Sequence, residues 1–334
     1  MRISASLVSV ILVLMFVPSV QAKEFKVGVV FDKAGKDDKS FNMLANEAAL
    51  RAQKELGVSV KTSEPPDDAS YEPSLEMMAK RGYDLVIAVG FAQKEAIERV
   101  AKRNPNSRFA IVDGRIEQLA NVASLMFEEQ EGSFLVGMIA ALKSKSNIVG
   151  FVGGMDIPLI RRFEKAYIQG ARYAKPKVKV ISNFAGVTID AFNDPTKGKE
   201  LANSQIAQGA DVVFHAAGST GLGVFGAVDS KSTPDKPVYA IGVDANQNWI
   251  KPGKVLTSML KRVDVAVYDT IKATKEGKFK GGVQTFDLKN GGIDYALDKY
   301  NDALVDAGIR AKVVAAKKEI IAGTLKVVDA YKRP

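Results

Sequence analysis

One polar loop of the sequence combines acidic, amide and aromatic side chains that suit recognition of a small planar ligand. It runs from Asp32 to Asn42 and reads DKAGKDDKSFN, with one glycine at Gly35. Phe41 closes the loop at the start of a predicted helix, where an aromatic ring can present its face to a planar ligand. The same ring also suits a hydrophobic staple at the start of the helix. The residue types therefore indicate a binding loop and leave the role of Phe41 open.

A second motif would imply different chemistry. Gly221, Gly223 and Gly226 form a G-x-G-x-x-G pattern after a predicted strand, and Asp244 follows at about the distance of the ribose-binding acid in a dinucleotide site. This motif would indicate a dinucleotide-dependent oxidoreductase. However, residues 216–219 separate the strand from the first glycine. The export signal described below would also carry the chain out of the cytoplasm, where dinucleotide cofactors are found. We keep the oxidoreductase as an alternative and predict no cofactor.

Hydrolytic and metal chemistry receive little support from the composition. The chain has no cysteine, which excludes disulfides, thiolate nucleophiles and Cys-ligated zinc. His215 is the sole histidine, and no G-x-S-x-G nucleophile pattern occurs. We therefore predict that the chain is not an enzyme, with no catalytic residue and no metal site.

Short apolar runs alternate with amphipathic segments, and this alternation would position the polar residues. The runs predict strands at residues 25–31, 58–61, 84–89, 108–112, 148–152, 178–182, 211–214 and 238–243. Helical spacing of apolar residues predicts helices at 41–56, 71–80, 92–102, 157–174, 196–208 and 220–228. Ser40 is a plausible N-cap of the first helix. Because buried strands alternate with helices, the pattern indicates an α/β fold.

The near-duplicate halves of this pattern favour two lobes over one large sheet. We predict a parallel sheet flanked by helices in each lobe. The N-terminal lobe would contain residues 23–125 and 256–284, and the C-terminal lobe residues 126–255 and 285–334. Open parallel sheets bind ligands beyond the carboxyl ends of their strands. Asp32, Asp113, Gly218 and Asp244 fall at such ends, so we expect them to share a cleft between the lobes.

Residues 1–22 are predicted to be a signal peptide. Arg2 provides a positive start, residues 7–17 form a short apolar run, and Pro18 ends that run before a small-residue cleavage site at Ala22. The alternative is an uncleaved anchor, although the run is short for a membrane span. We expect the secreted chain to begin at Lys23 in the periplasm. We also expect it to be soluble and free of a lipid anchor, because no cysteine follows the cleavage site.

The formal charge of +9 raises the question of nucleic-acid or membrane binding. Lysine and arginine residues are interspersed with aspartate and glutamate on the predicted helix surfaces. Such mixing is typical of a solvated surface, so we predict no nucleic-acid partner. We expect a monomer.

Seven segments together resemble the basic membrane protein (BMP) family, the nucleoside-binding receptors of ABC transporters. In the order and spacing of that family they lie at residues 32–42, 111–113, 127–137, 150–154, 209–214, 241–244 and 257–261. The resemblance implies a two-lobed periplasmic binding protein of type I with three hinge crossings. It also implies a purine nucleoside as the ligand and an ABC permease of the inner membrane as the partner. Riboflavin or a sugar remains an alternative ligand.

The resemblance also implies roles for individual residues. Phe41 would stack on the base, and the acids Asp32 and Asp113 would face its edge. Asp244 and Lys261 would hold the ribose, since a carboxylate accepts and an ammonium group donates hydrogen bonds to a cis-diol. The remaining implied site residues are Ser40, Asn42, Gly218 and a second stacking aromatic, Phe214, with Phe184 and Phe192 as alternatives.

The sequence departs from the family pattern in two places. The usual lipid-bearing cysteine is missing, which implies a freely diffusing receptor. Asp32 is an acid where some members have a neutral amide, and this change leaves the identity of the ligand open.

Overall fold

Two six-stranded sheets form the core of the computed structural model, which describes residues 24–332. The predicted signal peptide and its cleavage site lie outside the described residues. The first sheet has the spatial order β11-β5-β4-β3-β1-β2 and is parallel throughout. Its strands are β1 (Lys26–Val30), β2 (Ser59–Ser63), β3 (Leu85–Val89), β4 (Phe109–Val112), β5 (Val122–Phe127) and β11 (Gly282–Phe286).

The second sheet has the order β12-β10-β9-β8-β6-β7. Its strands are β6 (Ile148–Met155), β7 (Lys179–Gly186), β8 (Val212–Ala216), β9 (Tyr239–Asp244), β10 (Val255–Lys261) and β12 (Ile293–Tyr295). Only the pairing of β12 with β10 is antiparallel among the described residues. The predicted α/β fold with one sheet in each lobe is confirmed.

Helices cover both faces of each sheet. Those of the N-terminal lobe are α1 (Phe41–Leu56), α2 (Tyr71–Lys80), α3 (Lys94–Arg103) and α8 (Val263–Lys275). Those of the C-terminal lobe are α4 (Glu129–Lys143), α5 (Pro158–Ala174), α6 (Pro195–Ala207), α7 (Thr220–Lys231) and α9 (Ala307–Ala322). Helix α8 packs against α1, whereas α4 packs against α5 and β10. Each helix therefore buries its apolar face within one lobe.

The chain passes between the lobes three times, as predicted. The crossings lie at Glu128 after β5, at Arg262 after β10, and at residues 287–292 between β11 and β12. The predicted lobe borders need correction. Strand β5 continues to Phe127, and β10 belongs to the C-terminal sheet, where it lies between β9 and β12. The border expected at residue 256 therefore moves to Arg262.

The buried carboxylate of Asp38 contacts the first backbone amide groups of helix α1. Asp38 accepts hydrogen bonds from the backbone N–H groups of Ser40, Asn42 and Met43 at 2.9–3.0 Å. This carboxylate caps the helix and fixes the position of Phe41 in its first turn. Ser40 occupies the predicted N-cap position, but its side chain makes no capping bond. Its hydroxyl instead reaches the other lobe.

The G-x-G-x-x-G pattern serves packing inside the C-terminal lobe. All three glycines lie within α7, so they do not form a turn ahead of the helix. A Cβ atom at Gly223 would overlap the carbonyl oxygen of Pro195 in α6, and one at Gly221 would overlap the ring of His215. A Cβ at Gly226 would meet open space. Gly223 thus allows α6 and α7 to approach closely, and Gly221 leaves room for the ring of His215. The motif therefore gives no support to the oxidoreductase alternative.

Candidate ligand-binding site

A cavity lies between the lobes, where the carboxyl ends of the two parallel sheets face each other. Its volume is about 560 Å³, counting the part open to solvent. Apolar and aromatic side chains form most of the wall, and four carboxyl groups and one ammonium group are set into it. This composition is typical of a site for a small molecule with polar substituents.

The structure brings most of the predicted site residues to this cavity. Those that line it are Asp32, Phe41, Asp113, Gly218, Asp244 and Lys261. Ser40 and Asn42 lie one layer behind the wall and orient two of the acids. The Ser40 Oγ donates to Oδ2 of Asp244 at 2.7 Å, and the Asn42 Nδ2 donates to Oδ1 of Asp32 at 2.6 Å. The Ser40 bond also joins the lobes.

Phe214 does not belong to the cavity wall, which corrects the sequence-based expectation. Its ring is fully buried in the C-terminal lobe, with centroids 5.6 Å from Phe151 and 5.2 Å from Tyr167. Side chains alternate between the two faces of a strand, and in β8 this alternation directs Phe214 toward helix α5. The cavity is lined instead by Ala216, the last residue of the strand, and by Ala217 and Gly218, which follow it.

Aromatic rings from both lobes meet at the cavity. Phe41 and Phe91 come from the N-terminal lobe, and Phe163 and Phe192 from the C-terminal lobe. Phe91 and Phe192 contact each other edge to face across the interlobe boundary, with centroids 6.3 Å apart. The ring of Phe192 occupies space that a side chain at Gly154 would need. Phe192, one of the predicted alternatives, therefore lines the cavity from the C-terminal lobe, as does Phe163.

Four carboxyl groups line the cavity: Asp32, Asp38, Asp113 and Asp244. Burial raises the pKa of each to about 6 from the ordinary 3.8, because an ionised carboxylate is poorly solvated there. The hydrogen bonds from Asn42 and Ala34 oppose this rise at Asp32, and Lys261 opposes it at Asp113 and Asp244. The wall is therefore rich in hydrogen-bond acceptors.

Lys261 supplies the ammonium group of the cavity and is itself 2% exposed. Its Nζ lies 2.6 Å from Oδ2 of Asp113 and 3.0 Å from Oε1 of Glu129. It also lies 5.2 Å from the ring centroid of Phe41 and 5.0 Å from that of Phe127, within cation–π range. Burial alone would lower the pKa of Lys261, but the two carboxylates raise it above its ordinary value. The side chain remains charged.

Unusual backbone conformations aim the strand-end residues into the cavity. Asp113 and Asp244, which follow or end β4 and β9, have φ angles of +64° and +62°. Such left-handed conformations are uncommon outside glycine and cluster at functional sites. Gly90 and Gly218 adopt positive φ at the ends of β3 and β8. The four turns together place polar groups on the ligand side of both sheets.

Comparison with known proteins identifies the family. The family profile for Bmp, an ABC transporter substrate-binding protein that is PnrA-like, matches residues 25–329. The chain belongs to the Bmp family. The ABC transporter nucleoside-binding protein BmpA of Lactococcus lactis subsp. cremoris is 37% identical over 322 residues, which cover 91% of this chain and 89% of that protein. A lipoprotein of Pyrococcus abyssi is 37% identical over 287 residues, covering 82% and 70%.

Solved structures agree with the Bmp assignment. The crystal structure of ABC transporter solute-binding proteins from Aeropyrum pernix K1 superposes with a TM-score of 0.85 at 34% identity, covering 91% of this chain and 93% of that one. A Bmp-family protein is the substrate-binding component of an ABC transporter, which delivers a small molecule to a permease. The predicted family and type I fold are thus confirmed. Among residues 24–332, no helix has the length and apolar character needed to cross a bilayer.

Sequence reasoning overlooked several residues of this Bmp-family site. Asp38 lies in the predicted binding loop next to Asp37, and only the structure shows that Asp38 is the buried member of this pair. Glu129 lies in the segment FEEQEG, which carried part of the family resemblance. Phe91, Phe163 and the Leu159–Ile160 pair gave no signal, since apolar residues of helical segments usually pack in the core.

Proposed function

We propose that this Bmp-family protein is the exported receptor of an ABC importer and that its interlobe cavity captures a purine nucleoside. The observation that carries the proposal is the pairing of aromatic rings from opposite lobes with a carboxylate–ammonium cluster in one cavity. Phe41 and Phe192 suit the two faces of a planar base, because aromatic stacking accepts any base. The nucleoside-binding name of the Lactococcus relative supports the same ligand class.

The sugar end of the ligand would meet Asp244 and Lys261. The Lys261 ammonium group has three protons, and ionised carboxylates only accept hydrogen bonds. Vicinal hydroxyl groups can therefore accept from Lys261 and donate to Asp244 at the same time. Ser40 donates to Asp244 across the lobe boundary, so this hydrogen bond orients the carboxylate in the closed arrangement of the lobes.

The base edge would meet acceptors rather than donors. Oδ2 of Asp32 and Oδ1 of Asp113 have no hydrogen-bond partner among the described residues. Guanine offers a carboxylate its N1–H and N2 amino groups side by side, and hypoxanthine offers N1–H alone. Adenine presents a lone pair at N1, which an ionised carboxylate repels. We therefore propose that 6-oxopurine nucleosides are preferred.

Titration calorimetry with guanosine, inosine and adenosine tests this proposal. At about pH 8 the cavity acids are ionised, and we expect adenosine to bind about ten- to a hundredfold more weakly than guanosine. The variant Asp32→Asn should narrow the difference, because an amide can donate to N1 of adenine. Equal affinities for adenosine and guanosine would contradict the proposed base preference. Failure of all three nucleosides to bind would remove the nucleoside assignment.

A second prediction concerns the stacking ring. Phe41→Ala should weaken guanosine binding by ~1–3 kcal/mol, the usual cost of losing one face of a base–aromatic stack. Phe279→Ala, a half-buried phenylalanine of the N-terminal lobe outside the cavity wall, provides the matched control. Calorimetry should show unchanged affinity in the control. A folded Phe41→Ala protein with wild-type affinity would show that Phe41 does not stack on the ligand.

We further propose that the chain is exported to the periplasm, cleaved after Ala22 and active as a monomer without a lipid anchor. The chain contains no cysteine, which is the residue that carries a lipid in bacterial lipoproteins. The lipoprotein name of the Pyrococcus relative belongs to that protein. Nucleic acid plays no part in this proposal, because the cavity wall is acidic.

A further inference from the structure

Behind the cavity wall, buried charges of alternating sign form a continuous network. Glu129 is fully buried, and its Oε1 lies 3.0 Å from Lys261 Nζ. Its Oε2 accepts a hydrogen bond of 2.6 Å from Nη1 of Arg162, a residue of α5 that is 3% exposed. Arg162 Nε donates in turn to Oδ1 of Asp329 at 2.8 Å. The network thus runs from the cavity to the C-terminal segment on the outside of the hinge.

We propose that Glu129 and Arg162 are positioning residues, which fix the Lys261 ammonium group at the cavity wall, and that Asp329 completes their network. Neither Glu129 nor Arg162 lines the cavity. Asp113 accepts a hydrogen bond from Lys261, whereas Glu129 lies beside the ammonium group as an ionic partner and accepts no hydrogen bond from it, so Lys261 keeps protons for the ligand. This inference rests on the proposed function only for the identity of the probe.

The location of the network supports pre-organisation. Glu129, Arg162 and Lys261 all stand on the C-terminal lobe, in α4, α5 and β10. Their contacts therefore do not depend on closure of the cleft. Asp113 belongs to the N-terminal lobe, so its bond to Lys261 does cross the cleft. Glu129 would hold the ammonium group in place before the lobes close, which reduces the ordering needed on binding.

Arg162 is needed because Glu129 has no access to water. The guanidinium group also donates to the carbonyl oxygen of Phe127 at 2.7 Å and to Glu128 at 3.0 Å. With Asp329 and Glu129, these partners use its whole fork of donors, which keeps the group rigid. Without Arg162, the Glu129 carboxylate would interact with Lys261 alone. Glu129 would then compete with the ligand for the protons of Lys261.

The position of Lys261 can be observed directly in ligand-free protein. In ¹⁵N-lysine-labelled protein at mildly acidic pH, we expect a protected Nζ cross-peak that Lys261→Met removes and thereby assigns. Glu129→Gln should remove or shift this cross-peak, because the ammonium group loses its ionic partner. Glu164→Gln is the matched control, since Glu164 is a buried acid of α5 that pairs with Arg161 outside the network. It should leave the cross-peak unchanged.

The same variants are then titrated with guanosine. Glu129→Gln should lower its affinity about tenfold, whereas free guanine, which lacks the sugar, should lose little. Arg162→Lys keeps the positive charge but loses the forked guanidinium donors. It should lower the guanosine affinity too, but by less. An unchanged cross-peak together with affinity within about twofold of wild type in Glu129→Gln would overturn the positioning role. If wild type does not bind guanosine, the proposed function fails, and the cross-peak still decides this inference.

Discussion

Gly223→Ala should destabilise the protein more than an alanine at either of the other two glycines of the motif. The new Cβ would overlap the carbonyl oxygen of Pro195 and lie 2.7 Å from the amide nitrogen of Lys199. Both atoms belong to the backbone of α6, so no side-chain rotation can relieve the clash. The two helices must separate, and the adjoining core of the C-terminal lobe must open with them. We expect the free energy of unfolding to fall by ~3 kcal/mol, the upper end of the usual range for overpacking.

Gly226→Ala supplies the control within the same motif. Its Cβ would meet no atom within 4 Å, and alanine favours a helix over glycine by ~1 kcal/mol. Urea denaturation should therefore show Gly226→Ala equal to or more stable than wild type, and Gly223→Ala much less stable. Equal stability of the two variants would contradict the packing role. Guanosine affinity measured below the unfolding transition should stay unchanged in both, because neither glycine lines the cavity.

The alternation of strands and helices was predictable because burial leaves a clear trace in the sequence. Strand β3 reads LVIAV and is buried at all five positions, which a continuous apolar run indicates. Strands β5, β10, β11 and β12 escaped prediction because they lie next to the crossings, where the regular alternation is interrupted. The apolar run of β10 suits either sheet. Only its pairing with β9 and β12 assigns it to the C-terminal lobe.

The candidate site was predictable where a general rule of the fold applies. Ligands bind beyond the carboxyl ends of parallel strands, and this rule placed Asp113, Gly218 and Asp244 near the cavity. Phe214 was misplaced because sequence alone does not show which face of β8 meets the helices. The separate roles of Ser40 and Asp38 were also hidden, because both can cap a helix. Interlobe contacts such as Ser40 with Asp244 depend on how the lobes meet, which has no local signal.

Lys261→Met should cause the second large loss of stability. The substitution keeps an unbranched stem of similar length and removes the charge that Asp113 and Glu129 share. Removal of one partner from a buried ion pair typically costs ~3–5 kcal/mol, because the remaining charge is left unpaired. We expect the free energy of unfolding to fall by about this amount at about pH 7.5. Lys197→Met, whose lysine is 43% exposed and pairs with Glu200, should change it by less than ~0.5 kcal/mol.

The loss in Lys261→Met should shrink as the pH falls. Burial raises the pKa of Asp113 to about 6 even though Lys261 opposes the rise, so without Lys261 this pKa should rise further. The folded variant then binds a proton that the unfolded chain, with a pKa of about 3.8 at this residue, releases. Stability therefore increases as the pH falls toward about 5, and more in the variant than in wild type. Urea denaturation at both pH values measures this difference, and a constant deficit would show that Asp113 does not carry the unpaired charge.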